Sequence, residues 1–249
     1  MEDTTVLLLN TIAALITSML SAILGMGGGI TLLSVMVLLL PVKAVIPLHG
    51  SIQLVSNSTR LFLFRKSIHW RFTTQFACTA IPFSLLGIAL VDLLDDSSMR
   101  LLFGIFILFS LYFPIKKIPG LGRYTSSFYL AGLLAGSISL IVGATGPIIA
   151  PFFLRKELRK DEIVATKAFC QAIIHLLKIP LFGVVLEFSF EDYGVLLASM
   201  GVAVIIGTWM GKEVLSRYVS ERIFLFLYQC ILTIISLRLI IVEALKLTI

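Results

Sequence analysis

Long stretches with no charged side chain set the pattern of this chain. Residues 4–42, 124–154 and 193–211 contain no Asp, Glu, Lys or Arg, and a run of about 18 or more such residues marks a membrane-crossing helix. Residues 4–40 are too many for one crossing of about 20 residues and close to the length of two. Gly25-Met26-Gly27-Gly28-Gly29 interrupts them in the middle. Residues 44–64 form the next span, closed by Arg65 and Lys66 and then His69 and Arg71. Residues 72–94 follow, ended by Asp95 and Asp96, and then 101–115, ended by Lys116, Lys117 and the linker Pro119-Gly120-Leu121-Gly122. The second half repeats this layout. Residues 127–154 are broken at Gly143-Ala144-Thr145-Gly146-Pro147, and 163–186, 193–211 and 223–242 are the later spans.

The repeat has a fixed offset. Gly25 and Gly143, Gln53 and Gln171, and Arg60 and Lys178 each lie 118 positions apart. Each half therefore reads as a Gly-broken segment, a span carrying Gln and a base seven positions apart, and two plainer spans, as an internal duplication would produce. The organisation expected is a first transmembrane repeat over 1–118, a linker over 119–126 and a second repeat over 127–249.

Composition closes off other classes. Hydrophobic residues make up 58% of the 249 and charged residues 14%, with a mean hydropathy of +1.04. Soluble domains hold roughly 45–50% apolar and about 25% charged residues, and no polar stretch here is long enough to fold as a catalytic domain outside the bilayer. The formal charge of +6 and pI near 9.3 fit loops held on the cytoplasmic side, not nucleic acid, since no basic face is interleaved with aromatics. Cys78, Cys170 and Cys230 lie unevenly spaced in apolar runs and read as buried thiols. Met1-Glu2-Asp3 lacks the positive n-region of a secretory signal, so the first span is expected to stay in the protein.

Loop charge sets the topology. The basic loops are 65–71, 116–123, 155–160 and, more weakly, 212–222; the acidic ones are the N-terminus, 92–96 and 187–192. Placing the basic loops inside makes 127–154 start and finish on the cytoplasmic face, so it enters the bilayer and returns. By the same logic 4–40 starts and finishes outside. Each half then has one re-entrant hairpin and three crossings, and an odd number of crossings inverts the second half. The fold expected is an all-α integral membrane protein of two inverted four-helix repeats, each opening with a Gly-broken re-entrant hairpin, with both termini outside.

Inverted repeats with paired interrupted helices point to a secondary transporter. A turn inside hydrocarbon leaves backbone N–H and C=O groups unpaired at several kcal/mol each, and the arm starting at Gly28-Gly29 offers N–H groups and a positive dipole end to an anion. A Gly-rich run also serves close helix packing, and Arg60 also has room to snorkel to the inner surface; both readings stay open. Lys178 stands in mid-span, where an ionisable group is a functional candidate. Gln171, His175 and Lys178 share one helix face, and Gln53, Ser56, Asn57 and Arg60 make a matching one. His49 and His175, taken singly, read as satisfied packing residues. All fourteen acidic residues fall in loops, at span ends or near the termini, so no carboxylate is expected deep in the bilayer of the kind that relays protons or holds Na⁺.

The GxGGG run at 25–29, its weaker copy at 143–147, the 118-residue duplication and the basic loop 65–71 with His69-Trp70 together resemble the TauE/SafE family of sulfite exporters, over about residues 10–242. Thr145 and Pro147 replace two glycines of the full motif in the second copy. The resemblance implies an eight-helix bundle exporting sulfite, sulfoacetate or a related organosulfur anion across the cell (inner) membrane. Combined with the candidate residues, it places a small oxyanion near the midplane between the hairpin tips, held by backbone N–H groups of Gly27, Gly28, Gly29, Thr145 and Gly146. Lys178 and Arg60 would neutralise it, Gln53, Asn57, Gln171 and His175 would hydrogen-bond it, and access would alternate as one repeat rocks against the other. Expected partners are the anion and the lipid bilayer, with no nucleic acid, no metal and no cofactor; a homodimer stays open as the assembly. An enzyme is not expected, because His49, His69 and His175 are too few and too scattered. An anion channel, a carrier of another small anion such as a carboxylate, and a scaffold are the alternatives.

Overall fold

The computed structural model describes residues 4–24, 27–113, 127–144, 146–153, 158–211 and 221–248, which form helices and short connections with no strand among them. The first apolar run gives α1 (Thr4–Leu24) and α2 (Gly28–Leu39), separated at the glycine run. They are followed by α3 (Val42–Phe64), α4 (Trp70–Asp92) and α5 (Asp96–Tyr112). The later run gives α6 (Ser127–Val142) and α7 (Gly146–Phe153), then α8 (Lys160–Pro180), α9 (Gly194–Met210) and α10 (Glu221–Thr248). The linker at 119–126 and the basic segment 212–220 lie outside the described residues. Among the described residues, four helical segments, Thr4–Ser21, Trp70–Asp92, Asp161–Val185 and Glu191–Met210, are long and apolar enough to cross a membrane, and Gly28–Leu39 and Ser127–Val142 are shorter apolar helices. The protein is an all-α, multi-pass membrane protein.

Local chemistry fixes several ends. The Asp95 side chain accepts the Ser98 N–H at 3.2 Å, an N-cap that starts α5 at Asp96, ahead of the apolar run that begins at 101. Hydrogen bonds from the Ser98 side chain and then from its N–H hold the exposed Asp95 carboxyl below its ordinary value of 3.8. At the start of α8 the Glu162 carboxylate accepts the Arg159 N–H at 2.8 Å, and at its end Pro180 is followed by one π turn, Leu181–Val185.

The chain divides into two compact units, one of Met1–His49, Leu94–Phe113 and Ser189–Ile249, the other of Gly50–Leu93 and Pro114–Phe188. Within the first, α1 packs on α9, α5 on α10, and α2 against both α1 and α10. Thr11 meets Ser199, Leu15 meets Gly207 and Met19 meets Gly211, so residue numbers rise together and α1 and α9 run parallel. Gly207 and Gly211 form a small-xxx-small pair on which any Cβ would strike the α1 backbone. In contrast α5 and α10 are antiparallel, with Tyr112 on Thr233 at 2.6 Å and Ser97 on Glu243 at 2.7 Å.

Within the second unit, α4 packs on α6, and α8 on α4, α6 and α7. Gly132 lies against Phe76 and Gly136 against Ala80, so α4 and α6 are parallel. Rings fill the space around them: Phe72 stacks on Phe128 at 4.3 Å, and Phe128 meets Phe153 edge-on at 5.0 Å, in a core that includes Phe76, Phe152 and Ile149.

The 118-residue offset recurs in the helix boundaries. α1 ends at Leu24 and α6 at Val142, α2 begins at Gly28 and α7 at Gly146, and α4 ends at Asp92 and α9 at Met210. The pairing is reciprocal as well. In one unit α1 takes α9, and in the other their counterparts α6 and α4 take each other, both pairs parallel.

Candidate functional site

The two helix breaks are built differently. In the first unit Gly27 has φ 94°, a conformation that side chains resist and glycine does not. α2 begins at Gly28, whose α-carbon lies so close to α1 that a Cβ would come 2.6 Å from Ser21 Cβ and overlap the Thr17 carbonyl. Thr31 N–H returns to the Gly27 carbonyl at 3.1 Å, which leaves the N–H groups of Gly28, Gly29 and Ile30 ahead of any intrahelical acceptor. His49 is fully buried, and its Nε2 lies 2.8 Å from the Gly29 carbonyl oxygen. A carbonyl only accepts, so Nε2 carries the proton. At the far end of α2, Arg100 donates to the carbonyls of Val37 and Leu40.

In the second unit α6 stops at Val142 and Gly143 takes φ 74°. Lys178 is wholly buried, at 0% exposure, and its Nζ donates to the Gly143 carbonyl at 2.5 Å. Its stem has room because α3 presents a glycine there: a Cβ on Gly50 would come 2.8 Å from Lys178 Cδ. The Gln171 amide lies over the start of α7, with Nε2 3.2 Å from the place of a Gly146 Cβ. Ser139, one turn before the break, is buried, and its Oγ has no protein hydrogen-bond partner.

The break between α6 and α7 thus brings together Gly146, Gln171 and Lys178 of the expected residues. His175 is buried on the same helix, and Thr145 lies outside the described residues. The α3 candidates are bonded along their own helix: Asn57 Nδ2 donates to the Gln53 carbonyl at 2.9 Å, leaving buried Oδ1 without a protein partner, and Arg60 donates to Ser56 Oγ at 2.9 Å. Gly27, Gly28 and Gly29 belong to the first unit. Sequence reasoning missed the bond from His49 to Gly29, the clearance at Gly50 and the cap supplied by Arg100. An isolated glycine inside a helical span was the available signal for Gly50. Among the described residues no cluster of His, Cys, Asp or Glu is placed to hold a metal ion.

A family model described as sulfite exporter TauE/SafE matches residues 10–239. The chain belongs to the TauE/SafE family. The match takes in both helix breaks and every candidate residue, so this TauE/SafE protein is a membrane transport protein by family. No curated protein and no solved structure gives a significant match to it.

Proposed function

We propose that this TauE/SafE protein is a secondary carrier of a small sulfur oxyanion or organosulfonate such as sulfite or sulfoacetate, working by alternating access in the cell membrane. The observation that carries the reading is Lys178: a wholly buried amine, bonded to a neutral carbonyl at a helix break. A charge taken out of water needs a partner, and a small anion at the start of α7 would provide one, met also by the Gln171 amide and the dipole of α7. The N-terminus of α2 offers the same chemistry in its own unit.

Helix directions support two inverted repeats with re-entrant hairpins. With the basic loops inside, α1 and α9 both start from the outer face, α4 and α6 both start from the inner face, and α5 and α10 oppose one another. The side-chain pairings give these same relations, parallel, parallel and antiparallel. α2, with 12 residues, is about 18 Å long, roughly half the hydrocarbon thickness, as the returning arm of a hairpin requires. Export is the direction in which an inside-negative potential drives an anion, at about 2.3 kcal/mol per charge per 100 mV.

The test is flux into proteoliposomes of the purified protein, screened with sulfite, sulfoacetate, taurine, thiosulfate and simple carboxylates. Saturable, counter-exchanging flux of a sulfur anion is expected. Non-saturating single-channel currents would establish a pore in its place, and absence of flux for every anion would remove the transport reading.

A further inference from the structure

We infer that Lys178 is a tethered cation filling the place a sodium ion takes at the carbonyl end of a broken membrane helix, so that the carrier moves its anion without any metal cation. This deepens the proposed function and rests on it. In carriers with discontinuous helices, unwound carbonyls and half-helix C-terminal ends coordinate the coupling ion, while half-helix N-termini meet the anionic substrate. Both features stand here a few residues apart: α6 ends at Val142 and α7 begins at Gly146. No basic residue occupies the last turn of α6, so the negative end of its dipole has no neutralising charge of its own. The charge that reaches it comes from α8, through Lys178 Nζ on the Gly143 carbonyl.

Three observations fix the amine in that role. The lysine stem runs over Gly50, where any larger side chain would press on it, so the reach of Nζ to Gly143 is built into α3. A buried oxygen of the kind a cation attracts, Ser139 Oγ, stands one turn before Gly143 without a protein partner. Finally, no carboxylate lies in the middle turns of these helices, and Glu187, nine residues past Lys178, comes after the π turn that ends α8. α6 and α7 contain no acidic or basic residue, α3 brings only Lys43, His49 and Arg60, α4 brings Arg71 at its start and Asp92 at its end, and α8 itself adds Asp161 and Glu162 in its first turn and then Lys160, Lys167 and His175. Asp161 is 17 residues before Lys178, about 26 Å along the helix. A sodium site normally draws on carboxylates or free carbonyls, and here the carbonyl is already taken by an amine.

When an anion enters at the start of α7, three residues past Gly143, the ammonium moves from carbonyl to anion and releases the Gly143 turn. Substrate binding and movement of the hairpin are thereby linked through one atom, with the membrane potential and the anion gradient as the driving forces.

The experiment measures counter-exchange of ³⁵S-sulfite in proteoliposomes of the full chain, with sodium, potassium or N-methylglucamine as the sole cation. Initial rates within about threefold of each other are expected. Stimulation by sodium beyond threefold would overturn the inference while leaving an anion carrier in place; no sulfite exchange in any of the three, with none for the other screened anions, would instead remove the carrier reading itself. Lys178→Met is expected to lower exchange at least twentyfold, and retention of the wild-type rate by that variant would also overturn the inference. Should Lys178→Met not purify as a monodisperse protein, the cation comparison on the wild-type chain decides the matter alone.

Discussion

Arg100 donates to the carbonyl oxygen of Val37 at 2.6 Å, and its second amine reaches that of Leu40 at 3.5 Å. The last carbonyls of any helix lack intrahelical partners, and in hydrocarbon each one left bare costs several kcal/mol. α2 ends with no basic residue in its own last turn and with Leu40 extended, so the guanidinium from α5 supplies the cap. Arg100→Gln removes the charge and one or both bonds. Hydrogen bonds to charged groups are worth about 1.5–3 kcal/mol, so the thermal midpoint should fall by about 3–12 °C for a chain of this size. Lys, which offers a point charge in place of a planar fork, should restore part of it. An unchanged midpoint in Arg100→Gln would show that α2 is capped by other means.

Gly132 and Gly201 make a matched pair for the packing of the second unit against a neutral site. A Cβ on Gly132 would overlap the Phe76 carbonyl of α4, whereas one on Gly201 would meet nothing within 4 Å. Gly132→Ala must push α6 off α4 and should cost about 1–3 kcal/mol. Gly201→Ala gains helix propensity at no steric cost and should be neutral or stabilising by up to about 1 kcal/mol. Thermal unfolding of the two variants in the same detergent gives the comparison, and equal midpoints would refute the close approach of α4 and α6.

What the sequence made legible was local. An apolar run stopped by glycines shows its break by composition alone, and the breaks at 25–29 and 143–147 are where α1 gives way to α2 and α6 to α7. A lysine in mid-span is equally visible. Ends set by polar chemistry were less so: α5 starts at Asp96 because Asp95 caps it, and α10 runs on to Thr248, past the apolar stretch ending at 242. The partners were hidden. That Gly50 clears a path for Lys178, that His49 serves Gly29 and that Arg100 reaches Val37 depend on which helices become neighbours, and no periodicity within one helix encodes that. The spacing of 118 carried further than three residue pairs suggested, since Asn57 and His175 also obey it, as do three pairs of helix ends.

Glu243 should give the first unit an acid-sensitive seam. Its carboxylate, just beyond the apolar stretch of α10, is almost fully buried and accepts Ser97 Oγ at 2.7 Å and Lys246 Nζ at 2.9 Å. Burial pushes its protonation upward, but the Ser97 and Lys246 hydrogen bonds and the charges of Lys246 and Arg100 outweigh it and hold the carboxyl below its ordinary 4.5. A group depressed on folding stabilises the fold fully above its unfolded value, and the contribution is lost as pH falls from about 4.5 through the folded value. Stability measured from pH 7 down to pH 3 should therefore drop below about pH 4.5. Glu243→Gln should be less stable at pH 7 and show a shallower fall on the acid side. Parallel pH curves for the two proteins would mean that Ser97 and Lys246 contribute nothing through this carboxylate.

Topology is the most exposed of these readings, because the hairpins follow from it. If 127–154 enters and leaves on one face, residues 120 and 159 lie on the same side, together with Lys66, and Asp95 and Glu187 lie on the other. Single cysteines at these five positions, in a background with Cys78, Cys170 and Cys230 replaced by Ala or Ser, can be tested in intact cells with a membrane-impermeant maleimide. Cys170 is the one native thiol that is fully buried, so Ala at that site keeps it apolar. Labels at 95 and 187 should appear in intact cells, and those at 66, 120 and 159 only after lysis. The decisive pair is 120 and 159. If one labels from outside and the other does not, α6 and α7 cross the bilayer together and the second half is not inverted. The break at Gly143 would then be a kink in a crossing, and Lys178 would be bound to a passing carbonyl in place of a hairpin tip.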